Sequence, residues 1–205
     1  MKVRGEMAMT RNTVDRDNII PFPAVEGAGT ALRLRVDLVL MPTVVWRRFL
    51  LPASASFWDL HVAIQDTFGW EDRHLHQFTV DDHRLGENLR LGIPGDQRLD
   101  GPGRVLPGWE HRVVNYLRPD TSPALYTYDF GDEWQHEVVL EAIHNDEQPS
   151  RLPRCLAGEG QAPPEDCGGP PVVTVEHTTG DGMFQPDAVV FSDPRQRWHR
   201  IFDND

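Results

Sequence analysis

Ala31-Leu32-Arg33-Leu34-Arg35-Val36-Asp37-Leu38-Val39-Leu40, followed by Val44-Val45-Trp46-Arg47-Arg48-Phe49-Leu50-Leu51 and then by Ser56-Phe57-Trp58-Asp59, is the stretch that decides the fold. In the first segment Leu32, Leu34, Val36, Leu38 and Leu40 alternate with Arg33, Arg35 and Asp37, the period of two of a half-buried strand. Met41-Pro42 interrupts it, and the second segment runs as another strand to Pro52. So short a break predicts a hairpin, although Pro42 cannot donate to its ladder. Ser56 to Asp59 is a capping box, in which the serine caps the first turn and the acid three residues on reaches back. Phe57, Leu60, Ile64 and Phe68 then recur at helical spacing with His61 along the stripe, and Gly69 supplies the stop. His76-Gln77-Phe78-Thr79-Val80 predicts a third strand. The order strand-strand-helix-strand predicts an α+β protein with a mainly antiparallel, β-grasp-like sheet.

Before this stretch, residues 1–30 carry Asn, Asp, Arg, Pro and Gly without periodicity and predict a mobile tail, leaving 31–205 as a single domain. After it, Asp81 to Gly108 reads as a loop with one short strand, and Val113 to Leu117 as a short helix. Leu125–Phe130 and Glu133–Ile143 read as two strands around Gly131-Asp132, a pair suited to a two-residue hairpin turn. That register sets Asp129 opposite Trp134 and Thr127 opposite His136. Asp129 and His136 then share a sheet face as diagonal neighbours, roughly 7–8 Å apart at the backbone. A four-residue loop would set them directly opposite, and only a three-residue loop separates them. Beyond Asn145 the chain is rich in Pro and Gly and predicts long irregular loops packed on the sheet. A helical pattern returns near Arg195–Phe202.

Composition limits the classes of function. Hydrophobic residues make up 39% and charged ones 25%, the balance of a globular chain, and 17 Gly with 17 Pro imply much loop. The net charge of −12, with ten acids between Tyr126 and Cys167 against Arg151 and Arg154, makes a nucleic-acid partner unlikely, because affinity for phosphates comes from Lys and Arg. The single lysine against many arginines reads as codon bias. Two cysteines do not make a disulfide framework. No apolar run reaches the length of a membrane span, and Met1 to Glu6 lacks an apolar signal core. A cytoplasmic protein with reduced thiols is expected.

Reactive side chains, both cysteines among them, concentrate between Leu125 and Gly169. Asp129 and His136 are the candidate acid and base. Trp70, His76, Asp129, Trp134, His136, Glu165 and Asp166 form the candidate ligand-binding set. Cys155 and Cys167 with His136, or alternatively with His74 or His76, are the candidate metal ligands, since thiolate and imidazole suit zinc. No Cys-x-x-Cys pair occurs, and isolated cysteines more commonly pack as small apolar residues, so zinc is possible but no cofactor is predicted. Glu165-Asp166 before Cys167-Gly168-Gly169 reads as a loop clamp. Asp129-Phe130-Gly131 and Val62-Ala63-Ile64-Gln65 imitate kinase motifs, but Gln stands where the kinase lysine would and the second segment lies on a helix. Of Arg47 and Arg48, one is expected at the surface and the other packed along its stem.

Several motifs taken together resemble the plasmid pRiA4b ORF-three-like family. They are Val45-Trp46-Arg47-Arg48-Phe49, Leu60-His61, Ile64-Gln65, Phe68-Gly69-Trp70-Glu71-Asp72, His74-Leu75-His76-Gln77-Phe78, Tyr126 through Glu137, and the block Pro153 to Gly169. The resemblance covers about Leu32 to Gly169. After it, Pro170-Pro171 and a divergent tail to Asp205 replace the family's usual continuation. Membership implies an α+β domain, an association with mobile elements, and a label of insertion-element passenger or resolvase. Ser54, Ser56, Ser122, Ser150 and Ser192 lack the arginine setting of a serine recombinase, which sets this chain apart from the resolvase label.

The expected function is therefore a non-enzymatic cytoplasmic binding or interaction module associated with mobile elements, with an unknown protein or small-molecule partner. The rivals are a metal-dependent hydrolase using Asp129 and His136 with the Cys155 and Cys167 loops, and a DNA-associated accessory factor.

Overall fold

The computed structural model describes residues 29–82, 86–95, 104–146, 148, 152–170 and 184–202. Eight strands form one sheet: β1 Thr30–Leu38, β2 Trp46–Pro52, β3 His76–Asp82, β4 Glu87–Gly92, β5 Val105–Pro107, β6 Ala124–Tyr128, β7 Trp134–Asn145 and β8 Arg154–Glu159. Their order is β5-β4-β3-β6-β7-β1-β2-β8, with every neighbouring pair antiparallel except β4 and β5. Helix α1 spans Phe57–Phe68 and α2 spans Pro194–Phe202. The α+β class is as expected. The β-grasp-like order is not confirmed, because β6 and β7 stand between β3 and β1.

The period-two reading of β1 holds as far as Leu38: Leu32, Leu34, Val36 and Leu38 are buried, while Arg33, Arg35 and Asp37 are half-exposed. Leu40, expected in the same apolar set, lies past the strand end at φ 62° and is exposed. Leu38 donates to Val45 across the predicted hairpin at 2.9 Å. The same alternation on β3, β6 and β7 gives the sheet one apolar face, carrying Phe78, Tyr126, Tyr128, Trp134 and Val138. The other face is polar and half-buried. There Arg35 and Arg48 lie over the Trp46 ring at 4.4 and 5.0 Å, and Glu141 takes two bonds from Arg48. Arg47, its neighbour, points inward and is 3% exposed.

Helix α1 covers the apolar face. Its capping box forms as predicted, and Gly69 ends it at φ 76°, a left-handed conformation that glycine adopts without a Cβ penalty. Phe57 meets Phe78 edge-on at 5.1 Å, and Phe68 meets His136 at 4.8 Å. Ten of its twelve residues are buried, because the segments around Gly108–Glu110 and Val113–Leu117 and helix α2 cover its outer sides.

Three expectations need adjustment. Pro153 to Glu159, read as irregular, contains the edge strand β8, paired to β2 through a register shift. Its Arg-Cys-Leu-Ala-Gly-Glu sequence has no β-branched residue to announce it. The segment after Asp81 holds two strands, not one. The proposed mobile tail falls, except for Gly29 and Thr30, outside the described residues.

Candidate functional site

The β6–β7 turn is wider than two residues. Tyr128 pairs with Trp134, so Asp129 to Glu133 form a five-residue loop. Asp129 and Glu133 take φ of 55° and 54°, and Glu133 donates its amide to the Asp129 carbonyl at 2.6 Å. The Asp129 side chain folds back to accept from the Gly131 amide at 2.9 Å. This self-capping, which Asp performs readily in turns, is what widens the loop.

The consequence corrects the proposed acid–base pair. Asp129 has left the strand, while His136 lies opposite Tyr126 on the buried face. The His136 ring stands edge-on to Phe68 and Trp70, is 0% exposed, and neither nitrogen has a hydrogen-bond partner. Burial pulls its pKa down to about 3; the Tyr126 and Trp134 backbone, near the ring but outside hydrogen-bond geometry, pulls the other way. His136 is placed as a neutral ring of the core. Trp134 is equally buried, its indole N–H unpartnered.

Asp129 instead joins a clasp between three segments. Past Gly69 the chain turns so that Trp70 stacks on Tyr128 at 5.3 Å and donates its indole N–H to the Pro163 carbonyl at 2.8 Å. The Tyr128 hydroxyl donates to Glu165 and accepts from the Arg73 amide at 2.8 Å. Glu165 also accepts from the Glu71 amide at 2.6 Å. His74 Nε2 meets Asp166 Oδ1 at 2.6 Å and lies 3.5 Å from Asp129 Oδ2. Asp166 also receives Arg73 at 3.2 Å. The bond to Asp166 raises the His74 pKa, and the same bond lowers that of Asp166. Burial, then the adjacent Glu165, raises the Tyr128 pKa, which keeps the phenol a donor. The clasp thus gathers Trp70, Asp129, Glu165 and Asp166 from the predicted set, and adds His74, Arg73 and Tyr128.

The predicted metal set is not gathered. Cys155 is buried on β8 opposite Phe49, its Sγ 3.6 Å from the Arg48 carbonyl, and burial raises its pKa. Cys167 is exposed in the clasp loop, and both thiols are free. Among the described residues, the groups with three donor atoms mutually within 4.8 Å are His61-Asp72-His76 and His74-Asp129-Asp166. Neither includes a cysteine or His136.

His76 belongs to the first of these, a buried relay behind Tyr126. His61 Nδ1 meets the Tyr126 hydroxyl at 2.8 Å, and its Nε2 meets Asp72 Oδ1 at 2.8 Å. Gln65 donates to the same hydroxyl at 3.0 Å and accepts the Asp72 amide at 3.1 Å. The Asp72 carboxylate can only accept, so in the neutral ring Nε2 carries the proton and Nδ1 accepts from the Tyr126 hydroxyl. His76 stacks flat on His61, centroids 3.5 Å apart and planes within 8°. Burial, then the neighbouring His61, holds the His76 pKa well below its ordinary value. An ion in the plane of one stacked ring lies far outside the plane of the other, so these two rings do not chelate one metal as arranged. Arg197 closes the relay from α2, 3.9 Å from Asp72 Oδ2. In the sequence His61 and Asp72 stand within motifs of the family resemblance, with no sign that they meet, and nothing local marks Arg197.

On the far side of Trp58 lies a cleft of about 320 Å³, lined by Ser56, Trp58, Asp59, Trp109, Pro194, Arg195 and Trp198. Trp58 backs onto His61 at 5.2 Å and donates its indole N–H to the Pro194 carbonyl at 2.9 Å. Trp198 stands nearly perpendicular to both Trp58 and Trp109, at 5.3 Å and 83° and at 4.6 Å and 79°. Asp59 accepts the Ser56 amide and hydroxyl through one oxygen of its carboxylate, each at 2.7 Å. The cleft's tryptophans come from α1, the 108–110 turn and α2, too far apart in sequence for any local signal to unite them.

These features define an α+β protein with a single, mostly antiparallel sheet, one face buried under a capped helix and closed by a clasp of loops. The chain belongs to the family described as Plasmid pRiA4b ORF-3-like protein, which it matches over residues 30–175. It is 32% identical over 142 residues to an uncharacterized protein, y4hQ, of Sinorhizobium fredii, covering 69% of this chain and 68% of that one. It is also similar to the crystal structure of MM3350, a protein of unknown function from Methanosarcina mazei Go1, with a TM-score of 0.62 and 35% identity over 69% of this chain and 75% of the other. Among the described residues no helix is long and apolar enough to cross a membrane.

Proposed function

We propose that the protein is a non-enzymatic binding module of the cytoplasm whose ligand seats in the Trp58–Trp109–Trp198 cleft. The cleft carries this reading: it is an open, mostly apolar depression with three tryptophans in its lining and a few polar groups at its edge, and its volume is at the low end for small-ligand sites. Its hydroxyl and carboxylate, Ser56 and Asp59, are engaged in capping α1, so neither is arranged as a nucleophile with a base. The clasp around Tyr128 and the residues predicted as a site, Trp70, Asp129, Trp134, His136, Glu165 and Asp166, hold the fold that presents the cleft. Association with mobile elements belongs to this reading through a protein or small-molecule partner. The net charge of −12 weighs against duplex DNA. The test is tryptophan fluorescence during titration with candidate ligands, repeated with Trp109→Leu. Saturable quenching lost in the variant supports the cleft, and quenching unchanged in the variant places the ligand elsewhere.

A second reading, metal-dependent hydrolysis, has one observation in its favour: His74, Asp129 and Asp166 offer three donor atoms within 4.8 Å. It ranks below the first because Asp166 is already engaged by both His74 and Arg73. Metal analysis after dialysis against zinc or manganese tests it. One equivalent retained by the protein and lost in Asp166→Ala would favour it over the binding module.

A further inference from the structure

We propose that one end of the sheet is a docking surface for a basic segment of a partner protein. At this end β1 and β6 finish while β2, β3 and β7 begin, so the turns at 39–45, 129–133 and 70–75 leave it side by side. Backbone bonds tie them together: Val39 donates to the Gln135 carbonyl at 2.9 Å, and Asp129 to that of Leu75 at 3.0 Å. Out of these turns stand Leu40, Val44, Leu75 and Phe130, each more than half exposed. Single apolar residues scattered on a surface mean little, but these are four of the seven large ones exposed among the described residues. From β3 to β2 the row crosses four strand spacings, about 19 Å.

The backbone at this end carries a second sign. Among the described residues, the non-glycines with left-handed φ are Leu40, Asp72, Asp129, Glu133 and Asp166. All five lie in these turns or in the 160–169 loop that meets them through His74. An aspartate in that conformation can bond its own loop, as Asp129 does. Leu40 at φ 62° has no such return, since its Cβ crowds the following carbonyl and its side chain stands in water. Strain of this kind gathers where a surface is shaped for a contact outside the chain.

Charge selects the partner. Glu71, Asp129, Asp132, Glu133 and Asp166 flank the apolar row, and the basic groups among them, Arg73 and His74, are already held by carboxylates. A second copy would bring the same acids face to face, and an anionic lipid or nucleic-acid surface would be repelled. A segment with Lys or Arg around a few apolar side chains answers both features. The surface is distinct from the tryptophan cleft, whose Ser56, Trp58 and Asp59 sit at the start of α1, whereas Gly69 at its other end leads into the 70–75 turn.

The experiment selects peptides from a random phage-displayed library on the full chain. The winners are then measured by calorimetry on the full chain and on Phe130→Ser, Leu40→Gly and Trp109→Leu. They are expected to be net basic with at least one large apolar residue, and to bind more weakly as salt rises. Phe130→Ser should weaken them about tenfold or more, the effect of truncating an aromatic anchor. Leu40→Gly should weaken them too while its Tm is kept or raised, because glycine takes φ 62° without a Cβ penalty. That combination separates a lost contact from a lost fold. Trp109→Leu should change nothing. Neutral or acidic winners, winners that bind Phe130→Ser and Leu40→Gly as tightly as the unaltered chain, or no winners at all overturn the docking surface. Winners lost with Trp109→Leu instead belong to the cleft, and overturn this surface while supporting that one. Sedimentation of the chain alone gives the last outcome: a dimer dispersed by Phe130→Ser assigns the surface to a second copy and overturns the basic partner.

Discussion

Asp66 on α1 and Arg197 on α2 face each other in a buried ion pair, with side chains 5% and 6% exposed. Asp66 also accepts from the Ser192 amide at 2.7 Å and its hydroxyl at 2.9 Å, so one carboxylate seats the whole C-terminal segment. Trp198, next to Arg197, is thereby held as a wall of the cleft. Removing one partner of a buried pair leaves the other charge without compensation, at a cost on the order of 3–5 kcal/mol. Asp66→Asn should loosen the seat of the segment on α1, which is then left to the Trp58 bond to Pro194 and to the Trp198 ring. Limited proteolysis should then cut within residues 184–202 with little change in Tm. A segment as protected as in the unaltered protein would contradict this role.

Glu165 holds the clasp by accepting from a phenol and from two backbone amides. Glu165→Ala would take the acceptor from the half-buried Tyr128 hydroxyl while the two exposed amides turn to water or, for Arg73, keep the Tyr128 oxygen, a loss of roughly 1 kcal/mol. Trp70, whose indole N–H reaches Pro163 on the same loop, should report the loosening as a red-shifted emission. Gly169→Ala should act in the same direction. Gly169 sits at φ 81°, and an added Cβ would come within 2.7 Å of the Asp132 carbonyl.

How far the sequence carried the fold depends on how local each signal is. The box at Ser56–Asp59, the stop at Gly69 and the alternation in Leu32–Leu38 are fixed by neighbours a few residues away, and all three formed as read. Turn width was not local in this sense. Gly131-Asp132 suited a two-residue turn, but Asp129 found a better partner in its own loop's amides and moved the register. The cleft was invisible because Trp58, Trp109 and Trp198 meet only after α2 docks on α1, through a pair that no motif announces.

His136 makes stability depend on acid. Its imidazole titrates near 6.5 when unfolded and near 3 when folded. Between those values the unfolded state binds more protons, so stability falls as pH drops from 6.5 toward 3, by up to about 1.4 kcal/mol per pH unit. His76, also lowered by burial, adds in the same direction. His136→Phe replaces an unbonded aromatic ring with an apolar one among Phe68, Trp70 and Tyr126. The variant should match the unaltered protein near pH 8 and exceed it near pH 5 in urea midpoint. An equal pH dependence in both would mean that His136 is not buried neutral.

His74 and Asp166 set a pH window for the clasp loop. Protonated His74 gains its bond to Asp166, so its contribution is complete below the ordinary pKa of 6.5 and disappears as pH rises through the raised folded value. Ionised Asp166 works in the opposite sense: its contribution is present above the ordinary 3.8 and is lost as pH falls through the lowered folded value. Both conditions hold together between about 3.8 and 6.5, and there the loop should be most protected. The pair is exposed, so its effect on global stability is small. The sensitive measurement is local. In an NMR titration His74 should titrate above 6.5, and Asp166→Asn should return it toward that value. Exchange of the Gly168 amide, which donates to Asp132 at 3.1 Å, should quicken on either side of the window in the unaltered protein. In Asp166→Asn it should be insensitive to pH across it, once the intrinsic pH dependence of exchange is divided out. A His74 titration unmoved by the substitution would show that the two side chains do not meet.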